Sequence, residues 1–201
     1  MKNVKIINEL SVELRRKIFH FFIVLFITFL FHFIKFQIIP FLSLLLFVGI
    51  FISEMCIRGK DIPILSFGIK KFDRPENVLF SPGLGVFTLF SGILFTTFIG
   101  YVFKINYVLI ELSILLNVSD VFSAIFGILF GKTKWAHNLR KTKEGSFAFF
   151  ISSLIITSIY FQNLVVLFIS LILSFIETLP QIDDNFMISP SSLVLLKLFK
   201  I

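Results

Sequence analysis

Groups suited to handling phosphate are spread along this chain of 201 residues. Asp120, Asp183 and Asp184 offer the hard oxygen ligands that Mg2+ uses between carboxylates and substrate phosphates. Lys132, Lys134, Arg140, Lys141 and Lys143 fall within twelve residues, just ahead of the apolar run that begins at Phe147. Thr142, Lys143, Glu144 and Gly145 read as the start of the next helix. Helix N-termini carry unpaired N–H groups, and with nearby lysines they form an anion site. Far upstream, Arg16 and His20 lie four residues apart and share one helical face. Acids and bases gathered at one face of a membrane bundle suggest chemistry on the phosphates of a nucleotide.

Plainer uses of the same residues stand beside this one. Ser119, Ser123 and Gly127 recur every four residues, the pattern of a helix-packing seam, with Asp120 as a helix cap. The cations form a solvated cluster attracted to anionic lipid if charge alone is considered. GILFGKT, residues 127–133, is not a phosphate-binding loop of the Walker type. Only three residues separate its glycine from the Gly-Lys pair, where four are needed, and no strand precedes it. His32 and His137 are isolated, without the spacing of a metal site.

The elements that must position these groups are set by composition. The chain is 57% hydrophobic and only 15% charged, with 30 phenylalanines and a mean hydropathy of +0.98. Soluble domains carry roughly 45–50% apolar and about 25% charged residues, so most of this surface must be solvated by lipid. The expected fold is all-α: a single polytopic bundle over residues 1–201 with about six to seven transmembrane helices. The lone Cys56 excludes an internal disulfide framework and a cysteine-based zinc site, and no cleavable signal peptide is expected. The formal charge of +7 does not point to nucleic acid. Five of the 19 Lys and Arg residues lie in 1–17, five in 58–74 and five in 132–143, alternating with apolar spans. That is the pattern of cytoplasmic loops in a cell-membrane protein whose N-terminus is cytoplasmic.

The expected spans cover 18–34, 36–57 and 84–103, then 105–131, then a hairpin of 146–161 and 163–179. Residues 105–131 would make a straight helix of ~40 Å against a hydrocarbon core of ~30 Å. They form either one crossing broken near Asn117–Asp120 or two short or re-entrant helices. The last twelve residues enter the membrane as a short helix or lie at its surface. Acids within or beside apolar runs (Glu54, Glu111, Asp120, Glu177) are costly there and mark functional positions by default.

In order along the chain, ELRRKIFH (13–20), SEMCIR (53–58), SDVFSAIFGILFGK (119–132), RKTKEGS (140–146) and ETLPQIDDNFMISP (177–190) resemble one family. It is the family of membrane-bound CTP-dependent lipid kinases, with dolichol, phytol and CTP-using diacylglycerol kinases. They are related to phosphatidate cytidylyltransferase. Arg140 replaces the first lysine of the family's K-K-T-x-E-G-S box, and the alanine after the aspartate falls on Ser123–Ala124. The resemblance implies transfer of the γ-phosphoryl group of CTP to a lipid hydroxyl. It implies Asp120, Lys141 and Glu144 in catalysis, and Mg2+ held by Asp120 with Asp183 or Asp184. Phosphates would meet Lys132, Arg140, Lys141, Thr142, Gly145, Arg16 and His20. The implied partners are CTP, a membrane lipid and the bilayer, with no nucleic acid and with a homo-oligomer left open. The alternatives are cytidylyl transfer to phosphatidate, and a non-catalytic transporter or lipid-binding scaffold.

Overall fold

A computed structural model describes residues 2–60, 82–180 and 183–199, with side chains from residue 12 onward. Most of the basic loop expected over 58–83 lies outside the described residues. Among those described, all regular structure is helical apart from one isolated antiparallel bridge between Lys134 and Thr142.

The first helix, α1 (Lys2–Ile34), takes in the charged N-terminal segment as well as the first apolar run. It stops at Lys35, whose φ of +49° ends the helical path, and a short 3-10 turn (Lys35–Gln37) leads into α2 (Ile38–Ile57). Helix α3 (Leu84–Val102) begins after Gly83, whose φ of +85° is the left-handed conformation that glycine enters at no steric cost. The long apolar stretch divides into α4 (Tyr107–Leu115) and α5 (Val118–Phe130). Asn117 sits at the break and donates from Nδ2 to the Ile114 carbonyl (2.8 Å) and to Ser189 Oγ. Polar backbone freed at membrane depth is tolerated where protein buries it, and Asn117 is 4% exposed. The break falls at Asn117, within the stretch where the sequence placed it, and divides the run into two consecutive helices.

Helices α6 (Lys143–Tyr160), α7 (Val165–Glu177) and α8 (Asp184–Leu198) complete the described bundle. Helix α5 packs on α6 and α1, α6 on α7, and α8 on α3, α4 and α7. The C-terminal segment is thus an internal helix, with Ser189, Ser192, Leu193 and Leu196 buried. Pro190 has no N–H to give the Phe186 carbonyl one turn back. That carbonyl faces Gly92 of α3, where a Cβ would lie 2.5 Å from it. Buried hydroxyls such as Thr97, Ser113 and Thr157 bond carbonyls of their own helices. These hydroxyls therefore find their partners within their own helices.

The outside is apolar. Phe22, Phe26, Phe29 and Phe33 on α1 and Phe47 and Phe51 on α2 are all more than half exposed. A contiguous surface of that kind belongs against lipid. Among the described residues, three stretches are long and apolar enough to cross a membrane: Val12–Ile57, Leu84–Val102 and Tyr107–Phe130. This is fewer than the six to seven expected, for identifiable reasons. The first stretch runs continuously through the Lys35 turn and so joins α1 with α2. Helix α7 has 13 residues, ~20 Å at 1.5 Å each. Helices α6 and α8 spend part of their length on polar residues that face inward.

Candidate functional site

The C-terminal ends of α5 and α7 and the N-terminal ends of α6 and α8 meet the start of α1's apolar run around a cleft of about 880 Å3. Its floor is built from residues far apart in sequence. Lys17, the last cation before the apolar part of α1, is 3% exposed and bonds Asp120 Oδ2. Asp120 lies in the first turn of α5, where a carboxylate suits the helix dipole. Glu177 is the last residue of α7; it is 1% exposed and accepts bonds from Ser123 Oγ (2.7 Å) and Ser146 Oγ (3.2 Å). Asp184 opens α8, next to Asp183, whose carboxylate caps the helix by accepting from Asn185 N at 3.0 Å.

Lys141 joins the three acids. Its ammonium bonds Asp184 Oδ2 at 2.5 Å and Glu177 Oε1, and lies 3.5 Å from Asp120 Oδ1. Burial opposes its charge, but Asp184, Glu177 and Asp120 outweigh that and hold the ammonium well above the ordinary lysine range. For Asp184, burial again favours the neutral form, and Lys141 followed by Lys17 holds the carboxyl well below its usual value.

Residues 131–142 form a tight hairpin that carries Lys141 to this position. Lys143 N donates to Thr133 O (2.9 Å) and Trp135 N to Lys141 O (3.2 Å). His137 and Asn138 tie the hairpin to Thr178, just past the end of α7, by contacts of 3.1 and 3.0 Å. Thr142 caps α6 by accepting from Gly145 N at 3.1 Å. A Cβ on Gly145 would stand 2.7 Å from Ser123 O, so glycine is what lets α6 lie this close to α5.

Asp120, Lys141 and Asp184 thus converge directly, and Asp183, Arg140, Thr142, Gly145 and Arg16 line the cleft around them. Arg16 is paired with Glu13, its Nε 3.2 Å from Glu13 Oε2. Three expected members stand apart from the lining. Lys132 is exposed and does not line the cleft. His20 is 2% exposed, enclosed beside Arg16 and Gly85, with Nδ1 unpartnered. Glu144 is on the surface and accepts from Thr133 N (3.2 Å) and Thr133 Oγ1 (2.8 Å). Hydrogen bonds from its own backbone N–H, then from the Thr133 hydroxyl, keep its carboxyl below the usual range. It clamps the hairpin to α6.

Two further residues join the floor: Glu177, marked in the sequence as a functional position but given no role, and Lys17, which was not among the expected site members. Both carried a signal: an acid closing one apolar run and a cation opening another, each costly at membrane depth unless partnered.

Asp120, Glu177 and Asp184 each present an oxygen within 4.8 Å of the other two. Asp120 Oδ1 is buried with no hydrogen-bond partner, in ion-pair range of Lys141. Three convergent carboxylates with an unsatisfied oxygen fit a hard divalent cation such as Mg2+. Comparison of the chain with protein-family models, curated proteins and solved structures returns no match.

Proposed function

We propose that this protein is a CTP-dependent lipid-alcohol kinase of the membrane. The single observation behind the reading is the convergence of three carboxylates with Lys17 and Lys141 at the base of a cleft inside a lipid-solvated bundle. Phosphoryl transfer asks the protein mainly for positioning and charge neutralisation, and this cleft offers both. Arg16, Lys134, Arg140 and Lys141 line it as partners for the nucleotide phosphates, beside the N-terminal N–H groups of α6. Asp120, Glu177 and Asp184 would hold Mg2+, which when bound neutralises charge on the transferring group. The acceptor hydroxyl attacks the γ-phosphorus and releases its proton to water, its new O–P bond forms as the bond to CDP breaks, and lipid phosphate and CDP leave. The acceptor class spans polyprenols, phytol and diacylglycerol.

In this reading α1, α2, α3 and the α4–α5 pair cross the cell membrane, and α6 and α7 return as a hairpin. The N-terminus and the 131–142 hairpin face the cytoplasm, in keeping with the basic segments at 1–17 and 132–143.

The test is to incubate purified protein in detergent with γ-labelled CTP, Mg2+ and a panel of lipid alcohols and phosphatidate. Labelled lipid phosphate with CDP is the expected product, lost in Asp120→Asn. CDP-lipid with pyrophosphate would replace the kinase by a cytidylyltransferase using the same site. No product, together with no thermal stabilisation by CTP and Mg2+, would leave a non-catalytic membrane protein.

A further inference from the structure

Asp120, Glu177 and Asp184 come from three different helices, yet their oxygens crowd within 4.8 Å. What occupies the space between them is the ammonium of Lys141, within ion-pair range of all three. Lys17 offsets Asp120 from another side. Three acids against two lysines leave one negative charge in excess, and Asp120 and Glu177 are only 2% and 1% exposed. A divalent ion in place of the ammonium would bring the group to neutrality. Both cations together would leave an excess positive charge in a space sized for one, and buried like charges repel strongly.

The backbone of Lys141 is fixed, its N–H bonded to Asn138 O at 3.1 Å and its carbonyl to Trp135 N. Its side chain is the movable part: a flexible four-carbon stem, 20% exposed toward the cleft. Thr142, Arg140 and Lys134 stand around the space it would enter.

We infer that Lys141 is a resident counter-ion that fills the three-carboxylate site until a divalent metal displaces it, freeing its ammonium to turn toward the nucleotide phosphates. This rests on the metal and nucleotide reading above and adds an order to it. Metal alone competes with a tethered ammonium and binds weakly. Metal arriving with nucleotide binds well, because the displaced lysine gains a new anionic partner. The same side chain keeps the carboxylates from repelling one another when no metal is bound.

The experiment is to titrate the full-length protein in detergent with Mn2+, followed by electron paramagnetic resonance without CTP. Lys141→Met is expected to bind Mn2+ at least tenfold more tightly than wild type, and Lys141→Arg no more tightly than wild type. Equal affinity of wild type and Lys141→Met would overturn the exchange. If wild type nonetheless transfers phosphate from CTP, only the exchange fails; if no form binds Mn2+, the metal reading fails with it. Should Lys141→Met not fold, wild-type protein decides by acetylation and peptide mass spectrometry. Saturating Mg2+ without CTP should raise the labelling of Lys141 severalfold while exposed Lys132 stays constant; unchanged labelling of Lys141 refutes the displacement.

Discussion

Lys17 and Asp120 form a pair whose members are each 3% exposed by side chain, 103 residues apart in sequence. Removing one partner of such a pair leaves an uncompensated buried charge, at a cost of roughly 3–5 kcal/mol. Lys17→Met should therefore lower the melting temperature in detergent far more than Arg58→Met, whose pair with Glu54 is exposed on both sides and belongs to a class worth about 0–1 kcal/mol. The pH dependence follows from the shifts at Asp184 and Lys141. A carboxyl held below its ordinary value stabilises the fold above the unfolded value near 3.8, and that contribution disappears as pH falls through the lowered one. An ammonium held above 10.5 contributes fully below that pH and is lost only when pH rises through the raised value. Melting temperature should accordingly be flat in both contributions across the neutral range and fall in strong acid, with Asp184→Asn blunting the acid limb. Among single residues, Asp120 and Lys141 were legible because a charge beside an apolar run needs a reason. The pairing of Lys17 with Asp120 was not, because nothing in local spacing links α1 to α5.

At the scale of the element, two glycines hold helix pairs at distances other residues would not allow. Ala usually improves a helix over Gly by about 1 kcal/mol, but at Gly145 and Gly92 the new Cβ would lie 2.7 and 2.5 Å from the backbone carbonyls of Ser123 and Phe186. Backbone cannot yield as a flexible side chain can, so the clash wins. Gly145→Ala and Gly92→Ala should each destabilise by about 1–3 kcal/mol, the usual cost of overpacking, read as a lower melting temperature. Gly145→Ala should also impair any activity of the cleft, since it pushes α6 away from the acids. Thr142→Ala removes a helix cap and should cost about 1 kcal/mol. The helices themselves were largely readable from hydropathy and from Lys35 and Lys104, where positive φ marks the turns. The length of α1 and the burial of α8 were not: a charged segment and a proline-containing tail give no outward sign of being helical and of packing inside.

For the molecule as a whole, an all-helical, lipid-solvated bundle follows from composition, whereas the number of crossings does not. Inward-facing polar residues dilute the hydropathy of α6 and α8, and a turn such as Lys35 interrupts an apolar run without a loop. Single cysteines placed at Lys134 and at Gln162 in a Cys56→Ser background should react with a membrane-impermeant thiol reagent from opposite sides in oriented vesicles. Labelling of both from the same side would overturn the hairpin topology proposed for α6. The break at Asn117 carries a consequence for the depth of the chemistry. Asp120 lies ten residues short of Phe130 in the Tyr107–Phe130 stretch, ~15 Å along the helix, whereas Glu177 closes α7 and Asp184 opens α8, so one acid from within a long apolar stretch meets two that stand at helix ends. On the reading proposed above, a water-soluble nucleotide would enter past the hairpin to reach this site, whereas a hydroxyl anchored in the bilayer would meet it without leaving the lipid.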